Sequence, residues 1–129
     1  MTLSSAELMA FLPSDDLDRS RIFFRDVIGL ALVEQDPYAC VFDANGTRLR
    51  INLVAPFSRP PHTVLGWSVR DIAAATGDLS ARGVHFERYD GMAQDDSGVW
   101  TAPSGDRVAW FKDPDGNTLS LTQRAAGAD

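Results

Sequence analysis

The chain has 129 residues and a formal net charge of −6, with 12 Lys and Arg against 18 Asp and Glu. Its length suffices for one compact domain, and 44% hydrophobic with 23% charged residues is ordinary for a globular protein. The acidic balance lacks the basic footprint that phosphate backbones require, and no run of roughly 18 apolar residues occurs, so neither nucleic acid nor membrane is an expected partner.

Met1 to Phe11 has no basic segment leading into a long apolar run, so no secretory leader is expected. Cys40 is the sole cysteine, which excludes an intrachain disulfide and fits a cytoplasmic location. The apolar stretch from Leu8 to Leu12 reads as a strand. Asp16 then offers a side-chain oxygen to the orphan N–H groups of a helix start. That helix carries Leu17, Phe23, Phe24, Val27 and Ile28 at helical spacing and stops at Gly29. Ala31 to Glu34 and Tyr38 to Phe42 read as strands around Asp36-Pro37. The Asp43-Ala44-Asn45-Gly46 turn leads into a further strand, Leu49 to Leu53.

Pro56 to Pro61 is proline-rich and reads as an extended linker. The pattern then starts again. A strand at Val64 to Val69 precedes Asp71, a second helix cap. Ile72, Ala75 and Leu79 form an apolar stripe that ends at Gly83. Val84 to Glu87 opens a second set of strands. Gly91 to Asp106, rich in Gly, Asp and Ser, reads as a long loop with an extra or extended strand at Val99 to Thr101. Asp113-Pro114-Asp115-Gly116 makes the closing turn before Leu119 to Gln123. The two caps are offset by 71 − 16 = 55 residues and the two turn glycines by 116 − 46 = 70, so the second copy has gained 70 − 55 = 15 residues. The expected class is α+β, a single domain of two tandem βαβββ modules at 5–55 and 62–124, joined by a linker at 56–61.

Two segments resemble a known family. Val108-Ala109-Trp110-Phe111-Lys112-Asp113-Pro114-Asp115-Gly116-Asn117-Thr118-Leu119-Ser120-Leu121 looks like the end of the second module of vicinal-oxygen-chelate proteins, the glyoxalase, bleomycin-resistance and extradiol-dioxygenase group. Asp16 to Ser20 with Phe23 to Leu30 looks like the start of the first. The resemblance spans about Glu7 to Gln123. It implies curved mixed sheets around a cleft and a homodimer. It also implies either a small organic ligand or a metal-assisted lyase, isomerase or dioxygenase reaction. Fold alone does not choose between these, so whether the chain is an enzyme stays open; a non-catalytic regulatory domain is a third reading.

In metal-using members of such a family, ligands sit seven residues before each capping Asp and between the two apolar residues after each hairpin. The matching positions here are Met9 (16 − 7), Val64 (71 − 7), Arg50 and Ser120. Val64 has no donor, Met9 offers a soft thioether, Arg50 is a permanent cation and Ser120 is a weak ligand, so no metal is expected there. An alternative places one divalent ion at Glu7 and His62, two residues earlier on each strand and therefore on the same face. The expected cleft for a small organic molecule is lined by Met9, Phe11, Arg50, Val64, Trp67, Trp100, Trp110 and Ser120, with Arg50 suited to a carboxylate or phosphate. Alternation puts Val108 and Trp110 toward the cleft and Ala109 and Phe111 under the helices.

Overall fold

The structure, a computed structural model, describes residues 2–126. The chain divides into two compact units, Met1–Ser58 and Arg59–Asp129, with the break inside the Pro56–Pro61 stretch. Each unit carries one mixed four-stranded sheet with helix packed on it, and the first also has a short 3-10 turn at Leu3–Ser5.

In the first unit, β1 (Met9–Ser14) leads to α1 (Leu17–Ile22), whose end runs into a π-helical turn at Phe23–Ile28. The Asp16 carboxylate caps α1 by accepting from the Arg19 N–H at 3.1 Å. Gly29 ends the helical stretch at φ 90°, a left-handed conformation that a side chain would resist. β2 (Ala31–Gln35), β3 (Ala39–Ala44) and β4 (Thr47–Leu53) follow, in the spatial order β1-β4-β3-β2. β1 runs parallel to β4, and the other pairings are antiparallel. Alternation sends Leu12, Leu49, Ile51 and Phe42 to one face, where Phe42 meets Phe24 from the π-helical turn at 6.1 Å between ring centroids. These side chains are essentially inaccessible and form the unit's core.

The second unit repeats the plan. β5 (Leu65–Ser68) precedes α2 (Ile72–Ala81), which Asp71 caps by accepting from the Ala74 N–H at 3.0 Å. β6 (Trp100–Thr101), β7 (Arg107–Lys112) and β8 (Thr118–Gln123) complete a sheet ordered β5-β8-β7-β6. Its core is Ile72, Ala109, Phe111, Leu119 and Leu121, with Phe86 edge-on to Phe111 at 5.6 Å. The strand expected at Val84 to Glu87 is reduced to one bridge, Phe86 opposite Phe111, and an N–H from Glu87 to the Trp110 carbonyl. Gly83 and the following chain hydrogen-bond back to the end of α2, leaving too few free residues for a ladder. The extra strand expected at 99–101 is present as β6.

The Asp113 turn is the most internally bonded element. The buried Asp113 carboxylate accepts from the Asp115 and Asn117 N–H groups at 3.0 and 2.8 Å and from Asn117 Nδ2 at 2.8 Å. Burial pushes its pKa up, and these donors partly offset the rise. Asp43 plays a lighter version of the role in the first unit, accepting from Gly46 N–H at 3.1 Å.

Candidate functional site

The β7–β8 register settles which side chains share the sheet face opposite α2. Val108 pairs with Thr122, Trp110 with Ser120 and Lys112 with Thr118. Across β6, Trp100 pairs with Val108, and across β5, Gly66 pairs with Ser120. Trp100, Val108, Trp110, Ser120 and Thr118 therefore lie on one face. Val64, whose N–H donates to the Thr118 carbonyl, enters at the same face two residues before Gly66. Ser120 stands close against Gly66: a Cβ there would lie 2.9 Å from Ser120 Oγ.

Trp67 does not belong to this face. It pairs with Leu121, on the side facing α2, and its ring stacks on Phe111 at 6.5 Å and 18°. The expectation that it lines the cleft is thus corrected: its odd position in β5 matches Leu65, not Gly66, and period-two alternation turns it toward the core.

Trp110 is the centre of the exposed aromatic run. Tyr89 meets it edge-on at 5.5 Å and 85°, and Trp100 lies beside it at 6.2 Å and 36°. Both are geometries that aromatic quadrupoles favour. Against them opens a recess of about 400 Å³, lined by Pro61, His62, Thr63, Tyr89, Met92, Trp110 and Thr118. Tyr89 is held from behind. The Gln94 side chain accepts from the Tyr89 N–H at 2.8 Å and donates to the Glu87 and Gly98 carbonyls at 2.9 and 2.8 Å. Asp95 takes the Ser97 and Val99 N–H groups, both at 2.9 Å. The segment at 87–98 is therefore cross-braced. Desolvation, then the nearby Glu87 charge, raises the Tyr89 pKa, so the phenol keeps its proton at neutral pH and can donate. His62 is exposed at the rim, with Nδ1 3.1 Å from the Thr63 carbonyl. A proton on Nδ1 there leaves Nε2 as an acceptor.

Trp100, Trp110 and Ser120 share one sheet face, and Tyr89, Met92 and Thr118 line the recess beside Trp110. Tyr89 precedes the long loop and Met92 opens it, and no periodicity reports the direction of such a segment.

In the first unit, Met9 pairs with Arg48 and Phe11 with Arg50, so Met9, Phe11, Arg48 and Arg50 share the face opposite α1. Met9 and Phe11 remain 46% and 57% exposed. Arg50 Nε donates to Asn52 Oδ1 at 2.9 Å. Glu7 is exposed just before β1 and belongs to this unit, whereas His62 belongs to the other. A larger recess of about 580 Å³ opens beside α1, lined in part by Asp15, Asp16, Asp18, Asp36 and Cys40. Its carboxylates are occupied: Asp15 by Arg19, Asp16 by the helix cap, Asp18 by Arg21, and Asp36 by the Tyr38 and Ala39 N–H groups. Burial raises the Cys40 pKa, which favours the thiol over the nucleophilic thiolate.

The model of the Glyoxalase/Bleomycin resistance protein/Dioxygenase superfamily matches residues 7–121. The chain belongs to that superfamily. No curated protein sequence matches it significantly. Among solved structures, the chain is similar to a lactoylglutathione lyase from Agrobacterium tumefaciens, at 20% identity and a TM-score of 0.71, covering 92% of this chain and 93% of that one. It is also similar to a superfamily member from Sphaerobacter thermophilus, at 23% identity and 0.72, covering 95% and 100%. A third is TnmS3, an antibiotic binding protein from Streptomyces sp. CB03234, at 22% and 0.71, covering 97% and 100%. At such identities the likeness is one of fold.

The metal that many superfamily members use does not fit the residues here. Of the four matching positions, Val64 has no donor, Ser120 offers only a weakly ligating hydroxyl, and Arg50 presents donors alone, its Nε bonded to Asn52 Oδ1. Met9 supplies only a thioether, which hard and borderline divalent ions disfavour.

Proposed function

We propose that this superfamily member binds a small planar organic molecule against the Tyr89–Trp110–Trp100 face without a metal ion. The observation that carries the reading is the recess of about 400 Å³ backed by Trp110 and walled by Tyr89, Met92 and His62. Planar π faces and a thioether supply dispersion over a wide area, while the Tyr89 hydroxyl and His62 supply a few directional polar contacts. Similarity in fold to an antibiotic binding protein supports a binding role for this architecture.

Calorimetric titration of chelator-treated full-length protein with naphthalen-2-ol, a neutral planar probe, tests the reading. Saturable binding that survives chelation and is lost in Trp110→Ala is expected. Binding that appears only after Zn²⁺, Mn²⁺ or Ni²⁺ is restored, and disappears in His62→Ala, would overturn it in favour of a metal-dependent lyase, isomerase or dioxygenase.

A further inference from the structure

A further recess, of about 540 Å³, opens at one end of the second unit's sheet, lined by Ser68, Val69, Arg70, Gln123, Arg124 and Ala126. β5 and β8 run parallel with Ser68 opposite Thr122, and the Val69 N–H, donating to the Thr122 carbonyl, continues the pairing past the end of β5. The chain therefore leaves the two strands with Arg70 and Arg124 at matching places. Arg70 immediately precedes Asp71, the cap of α2, so the recess lies at the strand ends and shares no residue with the one beside Trp110.

The lining holds donors and no carboxylate. Among the described residues Arg70 makes no ion pair, and Arg124 brings a second guanidinium. Two carboxylates are near in the chain, and both are committed to backbone: Asp71 accepts from the Ala74 N–H at 3.0 Å and Asp106 from the Ala125 N–H at 2.7 Å. Gln123 Oε1 accepts from the Ile72 N–H at 2.8 Å, which fixes the carboxamide by its oxygen and leaves its NH₂ group as donor. Two like charges at one recess repel each other, and the fold does not demand them. At the internal offsets of 55 and 70, the equivalent places in the first unit are Asp15 (70 − 55) and Val54 (124 − 70). Such a pair is relieved by an anion that accepts from several directions. A tetrahedral dianion does so, whereas a single Arg fork already satisfies a planar carboxylate.

We infer that this recess binds a phosphate group, free or carried by a small polar molecule. Arg70 and Arg124 take the phosphate oxygens, and the Gln123 NH₂ adds a directional donor from the side of α2. The recess is larger than a phosphate alone, and Ser68 and Gln123 suit hydroxyl groups beside it. The site stands or falls independently of the aromatic recess.

Calorimetry on the full chain at low salt compares inorganic phosphate, ribose 5-phosphate and acetate, and amide NMR shifts locate each one. Both phosphates are expected to saturate one site roughly tenfold or more tighter than acetate, shifting the Arg70, Gln123 and Arg124 amides. The tighter of the two tells a phosphate monoester from the free ion. Arg70→Gln should weaken phosphate roughly tenfold, whereas Arg48→Gln, which removes the same charge from the other unit, should leave it unchanged. Gln123→Glu keeps an oxygen for the Ile72 N–H, so urea unfolding should move little, yet it places a negative charge in the recess and should abolish binding. Equal affinity for acetate, or unchanged phosphate affinity in folded Gln123→Glu, would overturn the assignment. So would an Arg48→Gln loss as large as that of Arg70→Gln, which would mean general attraction to surface charge, or shifts confined to residues 2–58.

Discussion

Trp110→Ala is the perturbation that bears most directly on the aromatic recess. The indole makes two ring contacts, at 5.5 Å with Tyr89 and 6.2 Å with Trp100, and backs the recess. Removing both pairwise terms costs about 1–3 kcal/mol at roughly 0.5–1.5 kcal/mol each. Trp110 is half-exposed, so loss of its buried area adds less than the full truncation cost of a core aromatic, and an overall destabilisation of about 2–3 kcal/mol is expected. The probe loses its stacking partner separately, at about 1–2 kcal/mol, which weakens naphthalen-2-ol roughly 5- to 30-fold. Urea unfolding measures the first quantity. Calorimetry, at a temperature where the variant remains folded, measures the second. Trp110→Phe keeps a π face and should recover most of the affinity but only part of the stability. If Trp110→Ala leaves probe affinity within about twofold while folded, stacking on this ring is not what holds the ligand.

Three further outcomes follow from the same geometry. Gln94→Ala removes three hydrogen bonds behind Tyr89 and should cost about 1–3 kcal/mol locally; amide exchange at Tyr89 should accelerate and probe affinity fall, and unchanged exchange would show that Gln94 does not hold the loop. Gly66→Ala places a Cβ 2.9 Å from Ser120 Oγ and 3.2 Å from its backbone oxygen, so urea unfolding should register a loss of about 1–3 kcal/mol, only partly relieved by adding Ser120→Ala; a neutral Gly66→Ala would contradict that close approach. Asp113 has a raised folded pKa, so in the window between the ordinary carboxylate value of 3.8 and that higher value the folded chain binds more protons than the unfolded one, and this group's contribution to stability falls as pH rises. The stability difference between the natural chain and Asp113→Asn should therefore shift against the natural chain as pH rises through that window, and a flat difference would refute the burial argument.

Much of the fold is legible because its signals are local. Asp16 and Asp71 announce their helices through short cap bonds, Gly29 and Gly83 end them at positive φ, and the Gly46 and Gly116 turns fix the hairpins. Alternation then predicts the open face on β7 and β8, where Trp110 and Ser120 pair as expected. The same rule turns Trp67 with Leu65 toward the helix side, away from the cleft expected for it. Tyr89 and Met92 lie outside the strands, so alternation does not place them. Their placement depends on Gln94, a tertiary contact with no sequence period.

The two modules differ where the extra residues fall, and that difference separates their chemistries. In the first unit the outer edge beside β3 is filled by β2, a five-residue strand with a bulge between Leu32 and Glu34, and Arg48, Arg50, Phe11 and Met9 lie on the sheet face opposite α1. In the second, the equivalent edge beside β7 is shared between the Phe86 bridge and the two-residue β6. The chain between them is free to leave the sheet and return. Braced by Gln94 and Asp95, it carries Tyr89 onto Trp110 and Met92 to the recess. Divergence of a repeated unit thus needs no change in the core: shortening one edge strand turns a flat, cationic face into a walled, aromatic one. Shortening 87–98 to a direct β2-like edge should therefore erase naphthalen-2-ol binding in calorimetry, and retained binding would show that this segment does not wall the recess.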